Sequence, residues 1–365
     1  MKVLFLIDNL GSGGAQRQVV TISGLLKAKG NDVTVLVYTL GDFFEPKLAE
    51  LGIPLIKCIK KSHVSRVFSI RREIRRGKYD AVISFLDTPN FINNVSSLFG
   101  RKKWKVITSE RSSKEDFMRS KKGCLFGWFQ RFSDAIVCNS ENARNMWRKH
   151  YPLYDKKLHC VYNAVSVEKP NVPYIPRKDG KTHIVVGASY QYMKNPIGLI
   201  KAVSLLPTED RDRIRVDWYG RKYVNDIDKD LAFQESQALV DNLGLSEIVY
   251  LHDPTSELNA KMAEADFVGL FSELEGLPNT ICEGMTLGKP IIMTKVSDYV
   301  TLVDEDNGFL CDWDNIDSIR RVLLQAKNVS DGEIEEMGNH SYKRSLRLFS
   351  LSIIADMWEQ IIIGK

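Results

Sequence analysis

Two glutamates eight residues apart, Glu275 and Glu283, bracket a Gly276-Leu277-Pro278-Asn279 turn within the stretch Phe267–Met293. The stretch opens and closes on short apolar runs, and both read as buried parallel strands. Pro278 suits a first helical position and Gly288 a helix stop, which makes a strand, a loop and a short helix. Glu275 then lies on the loop and Glu283 about a turn and a half into the helix. The helix start, with open N–H groups at Gly276, Leu277 and Asn279 around Pro278, is a place to hold an anion. An anion site flanked by two carboxylates suits a sugar linked to a diphosphate. Each carboxylate accepts hydrogen bonds from neighbouring hydroxyls, and the helix end takes the phosphates. The plainer alternative is a glutamate favouring a helix N-terminus beside a solvated helical one.

The segment Ser272-Glu-Leu-Glu-Gly-Leu-Pro-Asn-Thr-Ile-Cys-Glu-Gly-Met285, with Gly288-Lys-Pro290 behind it, resembles the E-x7-E segment of retaining glycosyltransferases of GT-B fold. That is the family 4-like group that includes capsule and lipopolysaccharide sugar transferases. The resemblance implies an α/β protein of two doubly wound, Rossmann-like domains facing across a cleft.

Composition agrees with a two-domain globular enzyme. The chain has 365 residues, 44% of them hydrophobic and 27% charged. Asp8 interrupts the N-terminal apolar run, and no stretch approaches the length of a membrane-spanning helix. Six scattered cysteines lack C-x-x-C spacing and read as small hydrophobes of a reducing compartment, so a cytoplasmic location is expected. Charge divides unevenly. Residues 1–165 hold 29 Lys+Arg against 14 Asp+Glu, and the remainder 22 against 32. A basic first half points to an anionic partner.

The chain opens as a βαβ unit, with strands at Val3–Ile7 and Val33–Tyr38 around a glycine loop and a helix. Gly11-x-Gly13-x-x reaches Gln16 where a dinucleotide site needs a third glycine, which argues against a nicotinamide cofactor. Gly13 and Gly14 instead make a tight turn, or let backbone approach a bound diphosphate or acceptor. Gly13-Gly-Ala-Gln-Arg17 is similar to the family's Gly-Gly-Ala-Glu-Arg loop, with Gln16 for Glu. Family members often carry a histidine soon after the strand at 81–86; this chain has Leu86-Asp87-Thr88-Pro89. Asp87, Glu110 and Arg111, each ending a strand, are therefore the candidate acceptor contacts.

Between Arg111 and Phe132 the basic residues Arg119, Lys121 and Lys122 alternate with Phe126, Trp128 and Phe129. That mixture suits peripheral attachment to an anionic bilayer. It also suits internal helices with packed aromatics and solvated charges. No helix-turn-helix, RNP-type or zinc motif supports nucleic acid as the partner.

The sequence divides into a first domain at 1–168, a linker at 169–180 with three prolines, a second domain at 181–345 and a C-terminal helical segment at 346–365. The resemblance implies that this last segment packs back on the first domain. In the second domain, Ala188–Asn195 is similar to the family's donor-phosphate loop, which holds an Arg and then a Lys. Lys194 matches, and the Arg position falls on Ala188 or Ser189. Arg221, ending the strand 215–220, is the candidate replacement cation. His252 reads as structural or as a neighbour of the nucleobase, without a partner at metal-ligand spacing.

The expectation is transfer of a sugar from a nucleotide diphosphate sugar to a hydroxyl with retained anomeric configuration. Lys194 and the helix start would stabilise the departing diphosphate. Glu275 would orient the donor sugar and Glu283 the ribose. No cofactor beyond the co-substrate is expected, and no metal, since no Asp-x-Asp motif falls where the diphosphate would sit. The expected acceptor is a lipid-linked glycan at the inner membrane face, and UDP is the family-level expectation for the nucleotide. A nucleotide-sugar 2-epimerase on the same fold and a non-catalytic sugar-nucleotide- or membrane-binding protein are the rival readings.

Overall fold

The computed structural model describes residues 1–111, 115–166, 169, 174–223 and 229–364. The chain divides into two compact units, one of residues 1–166 with 349–365 and the other of residues 167–348. Residues 170–173 of the expected linker lie outside the described residues.

The first unit holds seven parallel strands: β1 Lys2–Leu6, β2 Asp32–Val37, β3 Leu55–Lys57, β4 Ala81–Phe85, β5 Lys105–Glu110, β6 Ala135–Cys138 and β7 Leu158–Cys160, in the order β3-β2-β1-β4-β5-β6-β7. Their near-continuous apolar runs are buried on both faces by helices, which is why they lack alternation. The strand order reverses between β1 and β4, and open sheets of this kind take ligands outside the carboxyl ends of the strands at such a point. The final helix, Leu351–Ile363, belongs to this unit. Its Ile354, Trp358, Ile361 and Ile362 join the core formed by β1, β2 and β4. Trp358 is fully buried and stacks on Phe85 at 5.9 Å.

The second unit repeats the design with six parallel strands: β8 Thr182–Gly187, β9 Ile214–Tyr219, β10 Val249–His252, β11 Phe267–Leu270, β12 Ile291–Thr294 and β13 Gly308–Cys311, ordered β10-β9-β8-β11-β12-β13. Here the reversal falls between β8 and β11. The helix Asn279–Thr286 lies directly on β11: a Cβ on Gly284 would sit 2.9 Å from the Val268 side chain. Gly288, at φ 73°, ends that helical segment in the left-handed region that favours glycine.

Some elements differ from the sequence expectation. The sequence pattern predicts a basic helix over Val67–Arg76 and another over Asn90–Phe99; the structure begins the first at His63 and the second at Asp87, so Pro89 falls within its first turn. The 19-residue helix Asp331–Phe349 carries two glycines and a mostly polar sequence, and the sequence reading did not mark it. None of the described helices is long and apolar enough to cross a membrane.

Replacing Trp358 by Ala removes a fully buried indole and its stacking partner, and is expected to lower unfolding free energy by about 3–5 kcal/mol in urea denaturation.

Candidate active site

In the second unit the loops after β8 and β11 flank the reversal of strand order, and each brings one charged group to it. Lys194 lies on a single 3-10 turn, Tyr192–Lys194, ahead of the helix Pro196–Ser204. Asn195, in the left-handed conformation at φ 61°, caps that helix through Oδ1 to the Gly198 N–H, 3.1 Å. Its Nδ2 donates to the Trp313 carbonyl at 2.8 Å, tying down the loop's far end. From the β11 loop, the Glu273 N–H donates to the Met193 carbonyl at 2.8 Å, which fastens the two loops to each other.

Lys194 Nζ meets Glu275 Oε1 at 2.7 Å, and Ser272 Oγ donates to the same oxygen at 2.7 Å. Both charged side chains are mostly buried, at 18% and 12% exposure, so the pair is only weakly screened by water. Ser272 was not singled out in the sequence, although its place three residues before Glu275 is visible there.

The helix beneath this pair begins at Asn279, with Pro278 extended ahead of it as the cap residue. Gly276, Leu277 and Pro278 thus precede the helix. The Gly276 carbonyl accepts a hydrogen bond from Ser297 Oγ, and Leu277 is buried. The first intrahelical bond runs from Cys282 N–H to Pro278 O at 3.1 Å, so the Thr280 and Ile281 amides lie ahead of the helical ladder; Thr280 is half-buried and Ile281 fully buried. Thr280 Oγ1 donates to the Gly187 carbonyl at 2.7 Å and pins this helix start to the end of β8. Glu283, one turn on, is 7% exposed, so it is not a solvated helical residue.

Ala188, one of the two places where the family carries Arg, is in close backbone contact. Its carbonyl accepts Trp218 Nε1–H at 2.7 Å, and a Cβ on Gly220 would approach it to 1.9 Å. Arg221 follows directly; its carbonyl accepts the Tyr190 N–H at 3.0 Å and its side chain is exposed. His252 Nε2 lies 2.8 Å from Asp217 Oδ1 and its ring stacks on Tyr219 at 4.4 Å. Burial pushes the Asp217 carboxyl up, but Arg215 at 2.7 Å and His252 together outweigh it and hold the carboxyl below the usual range. A cavity of about 630 Å³ in this unit, lined by Tyr174, Arg177, Lys289 and Ile334, lies at the amino ends of the strands, away from Lys194 and Glu275.

In the first unit Gly13 is the extended cap of the helix Gly14–Ala28. Gln16 folds back over it, and Gln16 Nε2 donates to Asp8 Oδ1 at 3.3 Å. Leu86, at φ 79°, turns the chain from β4 into the helix that starts at Asp87. That is a strained backbone for leucine. Glu110 ends β5 and is 6% exposed, with Asn90 Nδ2 and Gln130 Nε2 both donating to its Oε1 at 2.8 Å. Burial, reinforced by the Asp87 charge, pushes its carboxyl up to about 8 against the opposing amides and Arg111. Arg111 lies over the Phe85 ring at 4.2 Å and donates to Asn163 Oδ1 at 2.8 Å; burial draws it down to about 9. Asn90 and Gln130 were not legible as partners, since they come from a helix and a 3-10 turn distant in sequence.

Of the basic-aromatic segment, Lys121, Lys122, Leu125 and Trp128 are exposed. Phe126 and Phe129 instead pack on Phe91 at 4.7 and 4.8 Å, and Arg119 pairs with Glu115 at 2.9 Å. Residues 112–114 of the segment lie outside the described residues.

Residues 12–169 match Glycosyltransferase Family 4, and residues 171–344 match Glycosyl transferases group 1. The chain belongs to the family 4-like glycosyltransferases of GT-B fold. This transferase is 25% identical to two N-acetylgalactosaminyltransferases of Campylobacter jejuni, whose names give diphospho-undecaprenol-linked sugars as acceptors. One alignment covers 99% of this chain and 98% of the relative; the other covers 87% and 88%. Anabaena HepE, solved in complex with UDP, superposes over the full length of both chains with a TM-score of 0.85 at 15% identity, a likeness of fold.

A carboxyl raised in the folded state binds a proton that the unfolded chain has released. The stability from Glu110 is therefore fullest below the unfolded value of about 4.5 and is lost progressively as pH rises to about 8. Thermal melts of Glu110→Gln across this window are expected to show the variant gaining on wild type as pH rises.

Proposed function

We propose that this transferase moves a sugar from a UDP-linked donor to a hydroxyl of a lipid-linked glycan in surface polysaccharide synthesis, with retention of configuration and without a metal. The observation that carries the proposal is the Lys194–Glu275 pair, 2.7 Å apart, held between two loops at the reversal of strand order. As the glycosidic bond breaks, charge grows on the leaving diphosphate. A lysine ammonium and the half-buried Thr280 amide at the helix start are fixed donors for that charge, already ordered before the reaction. Lys194 then bridges the diphosphate and Glu275, and Glu275 orients the donor sugar's hydroxyls. Glu283 takes the ribose diol, and His252, held by Asp217, stands beside the base. Arg221 supplies the second cation.

In the first unit Gly13 and Gly14 give the open turn for donor or acceptor, and Asp87, Glu110 and Arg111 are the acceptor contacts. A diphosphate oxygen of the donor accepts the acceptor hydroxyl's proton on the face the diphosphate leaves. The names of the Campylobacter relatives support the lipid-linked acceptor. The exposed Lys121, Lys122, Leu125 and Trp128 support peripheral contact with an anionic cytoplasmic membrane face, with Arg119, Phe126 and Phe129 beneath or beside them.

Calorimetry with UDP, GDP and ADP, followed by transfer assays with and without EDTA, tests the proposal. UDP is expected to bind, transfer to survive EDTA, and product NMR to show the donor's anomeric configuration. Lys194→Ala is expected to lower turnover by roughly 10²-fold or more. Unchanged turnover in Arg221→Ala would remove that residue from the site. Donor conversion without acceptor would point to an epimerase instead.

A further inference from the structure

The cavity of about 630 Å³ at the amino ends of the second unit's strands carries an excess of positive charge. Lys169, Arg177, Lys178 and Lys289 all line it, and among the described residues none of the four forms an ion pair. Lys289, at the entry to β12, is 8% exposed, and its Nζ donates to the Ala265 carbonyl at 2.8 Å. Arg177 Nη2 donates to the neighbouring Glu264 carbonyl. Both carbonyls close the helix Leu258–Glu264, whose C-terminal end favours cations. Those bonds explain where the two cations stand, but they supply no formal negative charge. They also leave two N–H groups on the Lys289 ammonium, and Arg177 Nε is buried with no partner. Lys169 Nζ donates to Asn339 Oδ1 at 2.8 Å, again a neutral acceptor.

The carboxylates at hand do not neutralise this group. Asp266 attracts Lys289, but Tyr174 O–H holds its Oδ1 at 2.6 Å and the His183 N–H its Oδ2 at 2.8 Å. Glu264 and Glu335 also line the cavity, are exposed, and form no ion pair among the described residues. The lining therefore carries four positive groups against two negative ones. Burial draws Lys289 down to about 8 against the pull of Asp266, and Arg177 and Lys169 add to the fall. Unpaired cations held close to one another are costly, and a bound anion relieves that cost. Leu287, Pro290 and Ile334 add apolar lining, and the volume is that of a small-molecule site, larger than a bare inorganic anion needs.

We propose that this cavity is a second ligand site, which takes a small phosphate monoester with a compact organic body. It lies at the opposite ends of the strands from Lys194 and Glu275, so it is separate from the donor loops. Lys289, Arg177 and Lys178 take the phosphate, and the body rests on the apolar lining. A phosphate dianion matches the excess of two positive groups, where a carboxylate brings one charge.

The test is equilibrium binding of inorganic phosphate, glucose 1-phosphate and isopentenyl monophosphate to the full-length protein, with and without excess UDP. It is run on wild type, Lys289→Met and Lys178→Glu, with melting temperatures in parallel. Lys178 is exposed and has no partner among the described residues, so its variant probes the site without disturbing the fold. At least one ester is expected to bind roughly tenfold more tightly than inorganic phosphate, with UDP present or absent. Preference for the first ester identifies a sugar body and for the second an apolar one; either supports the site. Lys289→Met should weaken binding by roughly tenfold or more and Lys178→Glu by about threefold or more. Displacement of the ester by UDP would place it on the donor loops and overturn the proposal. So would an affinity that neither variant lowers, or a folded wild-type protein that binds neither ester.

Discussion

The second unit depends on a cation and a carboxylate held together with little water around them. Lys194 and Glu275 could each find hydration more cheaply at an open surface. At 18% and 12% exposure they instead rely on each other and on Ser272. Such a pair contributes little to stability on its own account, because desolvation offsets most of the attraction. What it provides is a lysine whose ammonium is positioned in advance, beside a helix start. Everything around it serves that position. Asn195 caps one helix and grips the Trp313 carbonyl, Glu273 and Met193 join the loops, and Thr280 fastens the second helix to β8. Removing any of these ties loosens an arrangement that electrostatic stabilisation of a leaving group requires to be rigid.

The first unit uses a different device at the equivalent end of its sheet. Instead of an ion pair it buries a network of amides and hydroxyls around one carboxyl, with a strained Leu86 at the turn from β4. Burial there favours the neutral form, whereas in the second unit it accompanies a charged pair. The two sheets share a plan while presenting opposite chemistry: a charged pair in one, a buried carboxyl ringed by amides in the other.

Much of this was legible in the residues. The apolar runs marked the parallel strands, Glu275 and Glu283 stood out by their spacing around Pro278, and Lys194 was singled out by the likeness of Ala188–Asn195 to the family's donor-phosphate loop. Their spacing said nothing of contact: that Lys194 and Glu275, far apart in the chain, meet at 2.7 Å follows from β8 and β11 being neighbours. The helix begins at Asn279, one residue later than Pro278 as a first helical residue predicts, with the proline standing as its cap. The surroundings of Glu110 were not legible at all. Asn90 and Gln130 carry no motif, and only the packing of a helix and a 3-10 turn against β5 brings them to one oxygen. The helix Asp331–Phe349 escaped notice because its two glycines and many polar residues mask its apolar stripe.

The most direct measurement is a structure of the protein with UDP bound. Lys194 Nζ should then lie about 3 Å from a diphosphate oxygen, with the phosphates at the helix start beside the Thr280 amide. A diphosphate bound elsewhere, with Lys194 still engaged only by Glu275, would contradict the account.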